Sequence, residues 1–299
     1  VNLTNLTTEA ADPRFSGIDT MSVAELAATM NAADTTVPAA VAGALPQIVP
    51  AIEATAERMQ RGGRLIYVGA GTPGRLGVLD ASECPPTFGT PPEQVFAIIA
   101  GGPRAIVAPC EGAEDDEEAG AAAVDGAGVG PLDTVVGIAS SGRTPYVVAA
   151  VRRAAERGAL TVGLACNTGT PLGAAAAHAV EVPVGPEVIS GSTRLKAGTA
   201  QKLVLNMFST IVMVRLGKTY GNLMVDVRPS NGKLRERAVR IVRAITGAGR
   251  AEALSALRQN GFNVKQAVVA SRFDLTPQEA AARLAGADGR LRAALGERA

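Results

Sequence analysis

Five short apolar runs between residues 64 and 185, most of them separated by segments with helical character, constrain the fold of this chain more than any other feature. RLIYVGAG from Arg64, VFAIIAGG from Val95, DTVVGIASS from Asp133, LTVGLAC from Leu160 and AVEVPVG from Ala179 are rich in β-branched residues and almost free of charge. Between them lie GRLGVLD, EDDEEAGAAAV, TPYVVAAVRRAAERG and PLGAAAA, whose composition suits helices. Strands apolar on both faces need cover on both sides. The alternation therefore predicts an α/β fold with a parallel sheet between two helical layers.

The flanks read differently. Ser22 and Glu25 ahead of LAATM form a capping-box pattern, so a helix is expected to begin there. A second helical stretch is expected from Pro38 to Gln60, with a break near Pro46 or Pro50 and an end at Gly62 and Gly63. TRLKAGTAQKLVLNMFSTIVMVRLG, from Thr193, is interrupted by lysines and Gly198 and reads as a buried helix at a domain centre or dimer contact. After Asp226 come short amphipathic helices, among them TPQEAAARLAG with Thr276, Pro277 and Glu279 as a cap. The expected organisation is an N-terminal helical segment over 1–56, an α/β domain over 57–228 and a C-terminal helical domain over 229–299, with no repeat of solenoid period.

Composition removes several function classes. With 29 basic against 28 acidic side chains and only 3% aromatic residues, the chain has neither the charge nor the stacking platforms of a nucleic-acid binder. No run approaches the ~20 uninterrupted apolar residues of a spanning helix, and VNLTNLTTEAADPRF lacks the regions of a signal peptide, so a cytoplasmic, membrane-free protein is expected. Cys84, Cys110 and Cys166 are odd in number and widely spaced, which fits reduced thiols. His178, the single histidine, rules out a multi-histidine zinc site and is expected at the edge of a strand. Any acid/base chemistry then falls to carboxylates, lysine or hydroxyls.

Two loops follow strands and open helices. Gly69, Gly71 and Gly74 satisfy GxGxxG, which admits a dinucleotide reading, although neither Glu83 nor Glu93 clearly ends a second strand as a ribose-binding acid should. Ser140-Ser141-Gly142-Arg143-Thr144-Pro145 is a nest of hydroxyls and amides better suited to a monophosphate. Both are also compatible with plain strand-to-helix turns. Glu83 stands in DASECPPTFG, where Pro85 and Pro86 are expected to fix an extended turn that orients its carboxyl group. EGAEDDEE, over 111–118, is expected to form mostly a solvated first helical turn, with one carboxylate turned inward and raised in pKa. Glu187, Ser192, Thr193, Arg194 and Lys196 form a polar stretch that either lines a pocket or caps the following helix.

These residues carry a resemblance. GGRLIYVGAGTPGRLGVLDASECPPTFG, EGAEDDEE, GIASSGRTPYV and GPEVISGSTRLKAGTAQKLVLNM, with LTTE near the start and GNLMVDV near Asp226, closely resemble the N-acetylmuramic acid 6-phosphate etherases from about Leu6 to Arg240. That family has the sugar isomerase (SIS) fold, a flavodoxin-like parallel sheet that binds phosphosugars, and is related to the glucokinase regulatory protein. The resemblance implies cleavage of the D-lactyl ether of N-acetylmuramic acid 6-phosphate by elimination and hydration, in a cytoplasmic homodimer of amino-sugar catabolism without metal or organic cofactor. It also implies catalytic roles for Glu83, as donor to the leaving lactate, and Glu114, as acid/base partner at carbon 2. The 6-phosphate would be held by Gly71, Thr72, Gly74, Ser140, Ser141 and Thr144, with Glu187, Ser192 and Lys196 completing the pocket, in part across a dimer interface.

Two departures stand out. Pro73 occupies a place where the family commonly has serine, which removes a hydroxyl and an amide donor; Thr72, the amides of Gly74 and Arg75 and the second loop are expected to compensate. Cys110 stands where a small aliphatic residue is expected, in a packing role. A phosphosugar-sensing regulator or an aldose/ketose isomerase of the same fold are the other readings, and a pair of catalytic glutamates argues against the sensor.

Overall fold

The computed structural model describes residues 6–227, 229 and 231–297. Residues up to Ala81 together with Glu93–Ser209 form one compact unit, and Ser82–Pro92 together with the chain from Thr210 onward form a second. The change of character that the sequence shows near 226 to 232 falls inside the second unit.

The first unit opens with α1 (Val23–Asp34), α2 (Val37–Gly43) and α3 (Leu45–Gln60). Ser22 Oγ accepts from the Glu25 amide while Glu25 accepts from the Ser22 amide, so the expected capping box starts α1. The chain bends by 60° between α2 and α3 at Ala44, and Pro50 lies within α3 without ending it. There follow β1 (Leu65–Gly69), α4 (Gly71–Phe88), β2 (Val95–Ile99), α5 (Arg104–Val107), α6 (Glu117–Gly126), β3 (Thr134–Ile138), α7 (Pro145–Glu156), β4 (Leu160–Ala165), α8 (Pro171–Ala175), β5 (His178–Glu181) and α9 (Lys196–Arg215). All five strands pair in parallel in the order β2-β1-β3-β4-β5, the flavodoxin-like order. His178 opens edge strand β5, as expected.

Alternating side chains divide the core between the two faces. Ile66, Val68 and Val135 join Val124 of α6 and Tyr146, Val147, Ala150 and Val151 of α7 in one cluster. On the other face Tyr67 Oη donates to Asp80 of α4, which also accepts from Asn206 and Ser209 of α9. Burial of Asp80 raises its pKa against the pull of these hydrogen bonds. At the amino ends of β1 and β3, Arg64 and Asp133 form a salt bridge of 2.6 Å. Arg64 also donates to the carbonyls of Ala127 and Gly128, which ties the loop before β3 to the start of β1.

One expectation needs correction. Helix α4 continues through Pro85 and Pro86 to Phe88, so Glu83 sits on a helix and not in an extended turn. Each proline forfeits an amide bond, but its fixed φ near −65° is compatible with helix, and Gly89 closes the end by donating to the Pro85 carbonyl. Helix α9 is buried along Ala197, Ala200, Val204, Phe208 and Val212, in keeping with the expected buried helix, while Ile211 and Val214 are exposed.

In the second unit β6 (Thr219–Tyr220) and β7 (Leu223–Met224) form a small antiparallel pair, followed by α10 (Gly232–Thr246), α11 (Arg250–Gln259), α12 (Val264–Phe273), α13 (Pro277–Ala285) and α14 (Leu291–Ala294). Ala238, Val242, Leu257, Val268, Ala280 and Leu291 share its core. Thr276 and Glu279 form the expected capping box of α13. Among the described residues no single helix is long and apolar enough to cross a membrane.

Candidate active site

The three glycines after β1 have separate steric reasons. A Cβ on Gly69 would stand 2.6 Å from the Gly74 nitrogen, and one on Gly74 would stand 2.6 Å from Ile99 Cγ1. Gly71 takes a φ of +57°. The spacing thus lets α4 pack tightly onto β1 and β2. Strand β2 is followed by Ala100-Gly101-Gly102, while Glu93 precedes it and Glu83 lies on α4, so no acid stands where a dinucleotide ribose would need one. Because α4 already begins at Gly71, its open amides are those of Gly71 and Thr72, and the Arg75 amide belongs to the helical ladder. Of the two amides expected to compensate for Pro73, that of Arg75 is thus engaged within the helix.

The second loop faces the first. Ser140 is buried, and its Oγ accepts from Gln201 Nε2 at 3.0 Å. Ser141 Oγ accepts from the Arg143 amide at 3.2 Å. Thr144 stands at the N-cap of α7 with no side-chain cap bond, which leaves its hydroxyl available to a ligand. Gly142 has a φ of +67° and packs so closely that a Cβ would meet Thr170 at 2.4 Å.

Between the loops lies a cavity of about 470 Å³ lined by Gly71, Thr72, Ser140, Ser141, Thr144 and Glu114. It lies beyond the carboxyl ends of β1 and β3, where the strand order reverses, the usual ligand position in open parallel sheets. Thr193 and Arg143, from the polar stretch and the second loop, also line it, as do Glu9 and Asp115, to which the sequence alone assigns no such role. Arg143 is informative, because its Nε is buried with no partner among the described residues, a cationic donor aimed at no protein acceptor.

The remaining expected residues lie elsewhere. Gly74 is buried under the first loop. Ser192 is half-buried beside Thr193 and donates its amide to the Ile189 carbonyl. Glu187 is buried and accepts from the amides of Lys196 and Ala197, both at 2.9 Å, so it caps α9. Burial raises its pKa, opposed by those two amides and by Lys196. Lys196 donates from Nζ to the Val184 carbonyl at 2.7 Å, and burial lowers its pKa. It lines a second cavity, of about 530 Å³, with Arg14, Phe15 and Pro186. Of the acidic run, Asp116 caps α6 and Glu117 and Glu118 occupy its exposed first turn. Glu114 is exposed at the cavity, not enclosed among other carboxylates, and its carbonyl accepts from the Tyr146 amide. Glu83 is exposed on α4 and belongs to the second unit. Cys110 packs under Gly101, where a Cβ would meet its own Cβ at 2.7 Å.

Residues 47–155 match the glucokinase regulatory protein N-terminal SIS domain, and residues 117–211 match the SIS domain. An N-acetylmuramic acid 6-phosphate etherase of Streptomyces avermitilis is 58% identical over 98% of this chain and 94% of its own length. This chain belongs to the N-acetylmuramic acid 6-phosphate etherase family. An etherase of Rubrobacter xylanophilus is likewise 58% identical, over 99% of this chain and 97% of its own. Among solved structures a phosphoheptose isomerase of Francisella tularensis matches with a TM-score of 0.52 at 18% identity, covering 65% of this chain and all of that one. At that identity the likeness carries the fold alone, so it is the etherase relatives that distinguish this chain among SIS proteins.

Proposed function

We propose that the protein cleaves the D-lactyl ether of N-acetylmuramic acid 6-phosphate, giving N-acetylglucosamine 6-phosphate and D-lactate, as a carbon-oxygen lyase of amino-sugar catabolism in the cytoplasm. The observation that carries this reading is the near full-length identity of 58% to etherases. The sensor reading rests on the match over residues 47–155 and the isomerase reading on the fold alone, and neither is favoured.

The loop cavity suits the substrate. The 6-phosphate would be met by the hydroxyls of Ser140, Ser141 and Thr144, the open amides of Gly71 and Thr72 at the start of α4, and the unpartnered Arg143 nitrogen. In the open-chain sugar the aldehyde acidifies the proton on carbon 2. Glu114, at the cavity, would take that proton, and Glu83 would protonate the departing lactate oxygen; water then adds to carbon 3 of the unsaturated intermediate. No step in this scheme requires a metal or an organic cofactor. The protein would act as a homodimer whose sites draw on both copies. Exposed Ile211 and Val214 on α9 are consistent with a partner face. Glu187, Ser192 and Lys196 would then support the site from the α9 end, Glu187 by fixing the helix start.

The reading is tested by incubating the protein with N-acetylmuramic acid 6-phosphate and following D-lactate. Release of D-lactate is expected. Conversion to a ketose phosphate without lactate would indicate the isomerase, and binding without turnover the sensor.

A further inference from the structure

A side chamber of about 190 Å³ adjoins the loop cavity, and Ala70, Gly71 and Glu114 line both. It is smaller than the ~300 Å³ at which cavities usually begin to hold whole drug-sized ligands, so it suits a substituent and not a second sugar. Its one cationic lining residue is Arg75, from the start of the second turn of α4, faced by Glu111 and Glu114. Arg75 Nε donates to the carbonyls of Ala105 at 3.1 Å and Ile106 at 3.0 Å, which clamps the inner edge of the guanidinium. Its two Nη groups have no hydrogen-bond or ion-pair partner among the described residues. A guanidinium held by its inner nitrogen presents its outer fork ready-made for a carboxylate.

We propose that Arg75 binds the lactyl carboxylate of the substrate in this chamber and so selects for the lactyl ether. The inference rests on the etherase reading, which supplies the carboxylate. Connectivity supports the placement. The lactyl group branches from carbon 3, next to carbon 2, and Glu114, the group assigned to carbon 2, stands on the boundary between cavity and chamber. A phosphosugar in the loop cavity with its lactyl arm in the chamber therefore brings the ether bond past Glu114. With Glu111 and Glu114 both acidic, an incoming carboxylate depends on Arg75 for its attraction.

The test compares N-acetylmuramic acid 6-phosphate with its lactyl carboxamide as substrates. The wild-type protein is expected to prefer the acid by about a hundredfold or more in kcat/KM, the behaviour of a site built to bond one polar group. Arg75→Gln is expected to reduce that preference to within about threefold, and Arg75→Lys, which keeps the charge without the fork, to an intermediate value. A preference that survives Arg75→Gln, or a wild-type protein that treats the two substrates alike, would overturn the proposal and leave the etherase reading standing. Release of neither lactate from the acid nor lactamide from the carboxamide would instead remove the etherase reading itself. If Arg75→Gln fails to fold, wild-type inhibition decides: D-lactate should compete with substrate and D-lactamide should not, and equal potency would overturn the proposal.

Discussion

Gln201 Nε2 donates to Ser140 Oγ at 3.0 Å, so the serine hydroxyl acts as acceptor toward α9 and keeps its own proton for an anion in the loop cavity. Gln201 is fully buried and its Oε1 has no partner among the described residues, which leaves this bond as the side chain's link to the site. Gln201→Leu is expected to raise KM about tenfold with kcat changed less than about threefold, the scale of one hydrogen bond. Steady-state kinetics with a thermal melt as folding control checks it. An unchanged KM would show that Ser140 needs no such orientation.

Glu83→Gln and Glu114→Gln are each expected to lower turnover by about a hundredfold or more, the usual range for an acid/base group. If each site draws its two glutamates from different copies, mixing the two inactive variants under subunit exchange should restore activity to about a quarter of wild type, because half the dimers then carry one intact site. Activity that stays at the single-variant level after confirmed exchange would place both acids in one chain.

Pro73→Ser restores a hydroxyl and an amide in the first loop. Since the amides of Gly71 and Thr72 and three hydroxyls from the second loop remain, KM is expected to fall by less than about tenfold. A fall of several hundredfold would mean that the proline loop binds phosphate poorly and that nothing compensates.

Asp80 ties β1 to α4 and α9 through Tyr67, Asn206 and Ser209, and burial raises its pKa. In the unfolded chain an aspartate titrates at about 3.9. Between that value and the raised folded value the native state holds a proton that the unfolded chain has lost, so this group makes stability fall as pH rises through the window and adds no slope above it. Asp80→Asn should remove that part of the slope. Chemical denaturation of both proteins across the acid range measures it; parallel curves would show that Asp80 does not titrate differently on folding.

Much of the fold is legible in the sequence because the five strand runs are apolar on both faces, which only a covered parallel sheet accommodates. The loop hydroxyls Ser140, Ser141 and Thr144 are legible for the same local reason, since each follows a strand and precedes a helix. Glu83 is not, because Pro85 and Pro86 suggest a chain break whereas the structure absorbs both in the last turn of α4. Glu187 and Lys196 are polar residues near a glycine-rich turn, and sequence does not separate capping from pocket lining; two amide bonds to Glu187 show the capping. Glu9 reaches the cavity from a segment far from the loops in the chain, a proximity with no local signature.

Elimination followed by addition of water at carbon 3 is read most directly from the fate of solvent oxygen. The protein is incubated with N-acetylmuramic acid 6-phosphate in oxygen-18 water and both products are analysed by mass spectrometry. Unlabelled D-lactate is expected together with N-acetylglucosamine 6-phosphate carrying oxygen-18 at carbon 3. D-lactate released alongside unlabelled sugar would contradict it.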